Sequence, residues 1–192
     1  MPKLRVLIAD DEILHVMSLR GQLKELGHDV VGEAATGEEA IELAGKLKPD
    51  LAILDIKMPE VDGIEAARRI TSESPIPIVL LTAYNEQDLA QRAADIGIFA
   101  YLIKPVSEAD LLPAILLAMA RFNEFQIMQK GISDLKEALE TRKVVEQAKG
   151  ILMHRRGLTE AEAFKTLQLQ SQRENKKLIE IAKAVIVAEK LL

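Results

Sequence analysis

Five short aliphatic runs, at residues 4–9, 29–34, 50–54, 77–81 and 99–103, alternate with helical patterns at about 13–26, 37–48, 62–73, 86–97 and 107–121. This alternation leaves few folds open. Leu51-Ala52-Ile53-Leu54 is apolar throughout, as a strand covered on both faces of a parallel sheet is. Five such βα units predict an α/β fold, a doubly wound five-stranded parallel sheet. Local signals agree with the boundaries. Gly27 and Gly97 fall just after helical patterns, where a left-handed C-cap is wanted, and Thr36 and Ser107 are placed to N-cap the second and fifth helices. Pro75 and Pro77 bracket the start of the fourth strand and keep a helix from running on.

In a sheet of this kind ligands gather at the carboxyl ends of the strands. The first run ends in Asp10-Asp11, the third in Asp55, the fourth in Thr82-Ala83 and the fifth in Lys104-Pro105. One rim therefore carries three carboxylates, a hydroxyl and an ammonium. Crowded carboxylates repel unless a cation intervenes, and an all-oxygen set suits a hard divalent ion such as Mg²⁺ better than zinc. With metal bound, Asp55 can act as a nucleophile toward phosphorus, while Lys104 and the metal neutralise charge on the transferring group. Taken singly, each residue reads as a solvated acid or a surface lysine, because most Asp and Lys are exposed. The inference comes from the set.

Residues 3 to about 120 resemble the receiver domain of two-component response regulators, whose fold is flavodoxin-like. The likeness rests on Asp10, Asp11, Asp55, Met58-Pro59, Asp62-Gly63, Thr82-Ala83, Tyr101 and Lys104-Pro105, in order and at the strand ends. It implies Asp55 as phosphoacceptor, and Asp10, Asp11, Asp55 and the Lys57 carbonyl around Mg²⁺. It also implies Thr82 and Tyr101 as residues that rearrange on phosphorylation, and a cis peptide between Lys104 and Pro105.

Composition narrows the rest. No Cys is present, which excludes disulfides, thiolate catalysis and Cys-based zinc sites. His15, His28 and His154 are scattered without metal-ligand spacing and read as structural or surface residues. No apolar run approaches the ~18 residues of a membrane span, and the N-terminus enters a strand without a signal-peptide pattern, so a cytoplasmic location away from membranes is expected. The net charge of -5 hides a division: residues 1–122 carry 12 Lys+Arg against 20 Asp+Glu, and residues 123–192 carry 13 against 10. An acidic first part and a mildly basic second part suggest different partners.

Beyond Ser107 the helical pattern hardly stops. Pro113 falls in its first turns, where a missing N–H is tolerated. Phe125, Met128, Ile132, Leu135 and Leu139 then step by 3, 4, 3 and 4, a coiled-coil seam of about two heptads. That seam can pair with a second copy or dock on its own chain. Three helices follow. The first ends at Gly157 with Arg155 and Arg156 in its last turn, where cations suit the helix dipole. Thr159-Glu160-Ala161-Glu162 is a capping box opening the second. Asn175 is placed to N-cap the third, whose stripe of Leu178, Ile181, Ala182, Val185 and Ile186 reads as core. Gly150 costs about 1 kcal/mol against Ala inside a helix; close helix packing or close approach of a ligand backbone would explain it. Phe125 and Phe164 are the aromatics of this part, and both are expected to be covered, against a stacking platform.

The segment from about 138 to 190 resembles the ANTAR domain, an RNA-binding three-helix module of transcription antiterminators. The residues that carry this are Val145 to Met153, Gly157-Leu158-Thr159, Ala163-Phe164, Leu167, Asn175 to Leu178, and Ala182; Ser171 departs from the small apolar residue expected there. The likeness implies binding to stem-loops in nascent transcripts as a dimer, so that a terminator fails to form. The candidate RNA contacts are Lys143, Gln147, Lys149, Gly150, His154, Arg155, Arg156, Arg173, Lys176 and Lys177, whose cations would give salt-dependent binding.

The expected organisation is a receiver over 1–121, a helical coiled-coil-like linker over 122–140 and a three-helix RNA-binding domain over 141–192. The expected function is a response regulator phosphorylated on Asp55 by a sensor histidine kinase, homodimeric once phosphorylated, that acts in antitermination. The alternatives are a DNA-binding regulator, since a basic helical module can enter a major groove, and a protein-binding adaptor. A dedicated enzyme is disfavoured: beyond phosphorylation and dephosphorylation at Asp55, no nucleophile–base pair stands out.

Overall fold

The computed structural model describes residues 2–83 and 100–190. The helical pattern at 86–97, with Gly97, lies outside the described residues. The chain divides into two compact units, Met1–Gln126 and Ile127–Leu192.

In the first unit the elements run β1 (Arg5–Ala9), α1 (Ile13–Glu25), β2 (Asp29–Ala34), α2 (Gly37–Leu47), β3 (Leu51–Asp55), α3 (Gly63–Glu73), β4 (Ile78–Thr82) and β5 (Ala100–Ile103). The strands form one parallel sheet in the order β2-β1-β3-β4-β5. All five residues of β3 are buried, as a central strand with helices on both faces requires. Val6, Ile8, Ile53 and Val79 join α1 in one core, which Leu111, Ala114, Ile115 and Ala118 complete. Leu7, Ala52, Leu54 and Leu80 face α2 and α3 in the other. The doubly wound expectation holds.

Register aligns the strand tips. Ala9 pairs with Leu54, so Asp10 and Asp55 leave the sheet at one level, and Leu81 pairs with Asp55. Thr36 caps α2, its Oγ1 accepting from the Glu39 N–H at 3.2 Å while Glu39 accepts from the Ala35 N–H at 2.9 Å. Gly27 takes φ +84° after α1, and the Lys104–Pro105 peptide is cis.

One helix, α4 (Glu108–Arg156), begins in the first unit and ends in the second. The Ser107 carbonyl accepts from the N–H groups of Asp110 and Leu111, so the helix starts where expected. Pro113 is the sixth helical residue rather than a first-turn one, so one backbone bond is lost there. By length and composition alone α4 qualifies among the described residues as a membrane-crossing helix, its richest window reaching a mean hydropathy of 1.2. Charges such as Arg121 and Glu124 interrupt its apolar stretch, and Leu111, Ala114, Ile115 and Ala118 fill the first unit's core.

The second unit packs the end of α4 against α5 (Glu160–Glu174) and α6 (Leu178–Lys190) through Val145, Ala148, Leu152, Ala163, Leu167, Ile181 and Ala182. Thr159 and Glu162 form the expected capping box. Asn175 does not cap the third helix. It sits at φ +51° as the C-cap of α5, with its N–H on the Gln172 and Ser171 carbonyls, and α6 instead starts from the Lys177 carbonyl. Asn tolerates this left-handed conformation better than other residues with a Cβ. Ser171 is explained by the same loop: its Oγ donates to the Lys176 carbonyl at 2.6 Å, a bond that an apolar residue could not make.

Candidate functional site

The pocket is assembled from the tips of β1, β3 and β5. Asp10 is held by its own turn, Oδ1 accepting from the Glu12 N–H at 2.9 Å. Asp55 ends β3 and is fixed from behind by the loop into α3, where the Gly63 N–H donates to the Ile56 carbonyl at 2.9 Å. Asp62 opens that helix, Oδ1 accepting from the Glu65 N–H at 2.7 Å. Lys104 follows β5, and its backbone N–H donates to the Thr82 carbonyl at 2.8 Å. Its Nζ lies 2.8 Å from Asp10 Oδ2 and 2.9 Å from Asp55 Oδ1.

Carboxylate oxygens of Asp10, Asp11 and Asp55 lie within 4.8 Å of one another. Asp10 and Asp55 are buried while Asp11 is exposed, so the cluster opens to solvent on one side. Burial pushes the Asp55 carboxyl above its usual range, the Lys104 ammonium pulls it back in part, and the Asp10 and Asp11 charges raise it again. Burial opposes the charge on Lys104, yet its bonds and proximity to Asp10 and Asp55 leave its pKa raised. These donors fit Mg²⁺: all are oxygens, they converge on one point, and a divalent charge would offset the repulsion that raises Asp55. Lys57 occupies the loop that follows Asp55, and Thr82 Oγ1 donates to the Ala83 carbonyl at 3.1 Å. The Tyr101 side chain faces outward, 62% exposed.

Lys104 has a further neighbour that the spacing of the motifs does not announce. His15, on the first turn of α1, brings Nδ1 to 3.1 Å from Lys104 Nζ. His28, by contrast, is structural as read: buried, with Nδ1 accepting from the Leu4 N–H at 3.3 Å.

In the second unit the candidate contacts differ in environment. Lys149 is buried, its ammonium 2.9 Å from Glu146 and 2.6 Å from Glu160 in the first turn of α5. Lys143 pairs with Glu140, Arg155 with Glu189 and Lys176 with Glu174. Arg156, Arg173 and Lys177 are exposed and make no ion pair among the described residues, and His154 is exposed as well. Gln147 and Gly150 share an exposed side of α4. A Cβ at Gly150 would meet nothing within 4 Å, so close helix packing does not explain this glycine. Phe125 and Phe164 are not covered as expected but 36% and 37% exposed, because the helix faces that bear them are incompletely overlain. The seam is open too, from 36% at Phe125 to 72% at Leu135.

An acidic pocket at the carboxyl ends of a β2-β1-β3-β4-β5 parallel sheet, with a lysine from just past the last strand reaching into it, defines a receiver domain. Residues 6–116 match the response regulator receiver domain family, and residues 133–186 match the ANTAR domain. The chain belongs to the response regulators that join these two domains, a regulatory rather than a catalytic family. The transcriptional regulatory protein PdtaR of Mycobacterium tuberculosis is 49% identical over 95% of this chain and 89% of its own length. Among solved structures, the signal receiver domain of a modulated diguanylate cyclase from Desulfovibrio desulfuricans is 37% identical, with a TM-score of 0.59 over 63% of this chain and 97% of that one. The CheX-CheY-BeF3-Mg complex of Borrelia burgdorferi is 27% identical, with a TM-score of 0.56 over 58% and 86%.

Proposed function

We propose that this chain is a phosphorylation-switched regulator of transcription that acts on RNA: Asp55 accepts a phosphoryl group from a sensor histidine kinase, and the ANTAR domain then engages stem-loops in nascent transcripts so that a terminator does not form. The observation that carries this is the Asp55 Oδ1–Lys104 contact of 2.9 Å beside the Asp10–Asp11 carboxylates. An Asp55 oxygen forms the new bond to phosphorus as the donor's leaving atom departs with its electron pair. The Lys104 ammonium faces the charge that gathers on the phosphoryl oxygens. Mg²⁺, held by Asp10, Asp11, Asp55 and the Lys57 carbonyl, would supply further neutralisation. The Borrelia CheY complex, with BeF3 and Mg, supports this use of the pocket.

Thr82 and Tyr101 are the residues that rearrange; Thr82 ends β4 and Tyr101 lies within β5. A near-complete switch from 1:99 to 99:1 requires about 5.5 kcal/mol of differential stabilisation, which phosphoryl, Lys104 and dimer contacts would share. The exposed seam from Phe125 to Leu139 supports pairing of two copies once phosphorylated. Ile13, Leu14 and Met17 leave an exposed apolar face on α1 directly after Asp10-Asp11, a surface for the kinase that must reach the pocket. On this reading the receiver spans 1–121, the linker 122–140 and the RNA-binding domain 141–192, and the protein acts in the cytoplasm.

The test is affinity for a hairpin RNA and for duplex DNA at matched salt, with and without acetyl phosphate and Mg²⁺. Tighter hairpin binding on phosphorylation is the expected result; preference for the duplex would defeat the RNA reading. Two variants separate contact from scaffold. Arg156→Gln is expected to reduce the slope of log K against log salt by about one, as loss of one phosphate contact does. Lys149→Met, by removing the clamp on Glu146 and Glu160, is expected to lower the melting temperature of the second unit and leave that slope unchanged.

A further inference from the structure

The pocket contains one polar group that neither the likeness to receivers nor the sequence pattern assigns. His15 Nδ1 lies 3.1 Å from Lys104 Nζ, 3.3 Å from Asp10 Oδ2 and 3.6 Å from Glu12 Oε1. An ammonium has protons to give and no lone pair, so a ring nitrogen facing it accepts. The tautomer with its hydrogen on Nε2 lets Nδ1 accept from Lys104. Asp10, Asp55 and His15 together offer three acceptors to the three protons of Lys104: two come from strand ends and one from a helix.

Without the third acceptor Lys104 has somewhere else to go. A cavity of about 80 Å³ adjoins the contact and is lined by His15, Lys104, Ser18 and Gln22 among others. The Gln22 Oε1 is buried there without a hydrogen-bond partner. A long, flexible lysine stem released from His15 has room to retreat along α1, and an unused acceptor to retreat to.

We propose that His15 is a positioning residue for phosphoryl transfer: its Nδ1 holds the Lys104 ammonium forward, against Asp10 and Asp55, so that the charge is in place when a phosphoryl group reaches Asp55. The proposal rests on the reading of Asp55 as the phosphoacceptor. His15 stands 3.1 Å from Lys104 Nζ and 3.3 Å from Asp10 Oδ2, and it acts on the phosphoryl group only through Lys104. Transfer depends on preorganised charge at the transferring group, so the loss appears in the rate of the step and not in the affinity for metal.

The experiment labels the full-length protein with acetyl phosphate at saturating Mg²⁺, and measures Mg²⁺ affinity separately by calorimetry. His15→Phe keeps the ring and removes the acceptor; His15→Gln keeps an acceptor. His15→Phe is expected to slow labelling about tenfold, the worth of a hydrogen bond to a charged group, with Mg²⁺ affinity within about twofold of wild type, and His15→Gln is expected to recover most of the rate. Labelling of His15→Phe at the wild-type rate would overturn the proposal. So would a loss of Mg²⁺ affinity in step with the rate, or failure of His15→Gln to recover any of it. These outcomes leave Asp55 as acceptor intact, whereas a wild type that takes no label would bring down both readings together.

Discussion

A protein carrying Asp55→Asn is expected to take up no phosphoryl group from acetyl phosphate and Mg²⁺, and to melt a few degrees above the wild type at neutral pH in the absence of metal. The two results have one cause. Burial raises the Asp55 carboxyl first, Lys104 offsets part of that, and the Asp10 and Asp11 charges add to it. Its folded pKa thus lies above the ordinary value of 3.8. The native state keeps its proton to higher pH than the unfolded chain does, so stability falls as pH rises from about 3.8 through the folded pKa, and the cost is fully present above it. Asn removes that cost, and Lys104 still has Asp10 at 2.8 Å and His15 at 3.1 Å. Mg²⁺ should reverse the order. At about a hundred times its Kd it would stabilise the wild type by about 2.7 kcal/mol and the variant by less. Melting curves across pH 4 to 8, with and without metal, check this: equal labelling of the variant would place the acceptor elsewhere, and a lower melting point would mean that the carboxylate stabilises the apo fold.

The fold was legible because its determinants are local. Runs such as Leu51–Leu54 state strand and burial together, and Thr36, Thr159 and Gly27 mark helix ends by chemistry that acts within one turn. The pocket was legible because parallel register carries each run's last residue to the same rim. What escaped depends on contacts between distant positions. His15 meets Lys104 across 89 positions, and nothing in either segment says which side of α1 faces β5. Lys149 looks like any basic residue near a helix end until Glu160 arrives from the next helix. Apolar spacing placed Phe125 and Phe164 on particular faces but could not say whether those faces were fully covered. Asn175 favours both a helix start and a left-handed stop, and the Ser171–Lys176 bond belongs to the second arrangement.

Gly63→Ala is expected to be the most disruptive single-methyl change in the receiver, costing about 3 kcal/mol or more, while Gly150→Ala should stabilise the second unit by about 1 kcal/mol. A Cβ on Gly63 would stand 2.0 Å from the Asp55 carbonyl oxygen, 2.8 Å from its carbon and 3.1 Å from the Ile56 Cα. All three are backbone atoms, and β3 cannot yield because β1 and β4 bind it on either side. The clash must therefore move α3 or the tip that carries Asp55. Either movement also breaks the Gly63 N–H bond to the Ile56 carbonyl that sets the loop behind the pocket. Loss of labelling should accompany loss of stability in Gly63→Ala, since the carboxylate and its support move together. At Gly150 an added methyl has open space and regains helix propensity. If RNA comes close to the α4 backbone there, the stabilised Gly150→Ala protein should bind hairpin more weakly. Denaturant melts of both variants beside hairpin titrations check the pair: a mild Gly63→Ala phenotype would mean that the β3–α3 loop is softer than its contacts imply, and undiminished hairpin binding by Gly150→Ala would remove close approach as the reason for the glycine.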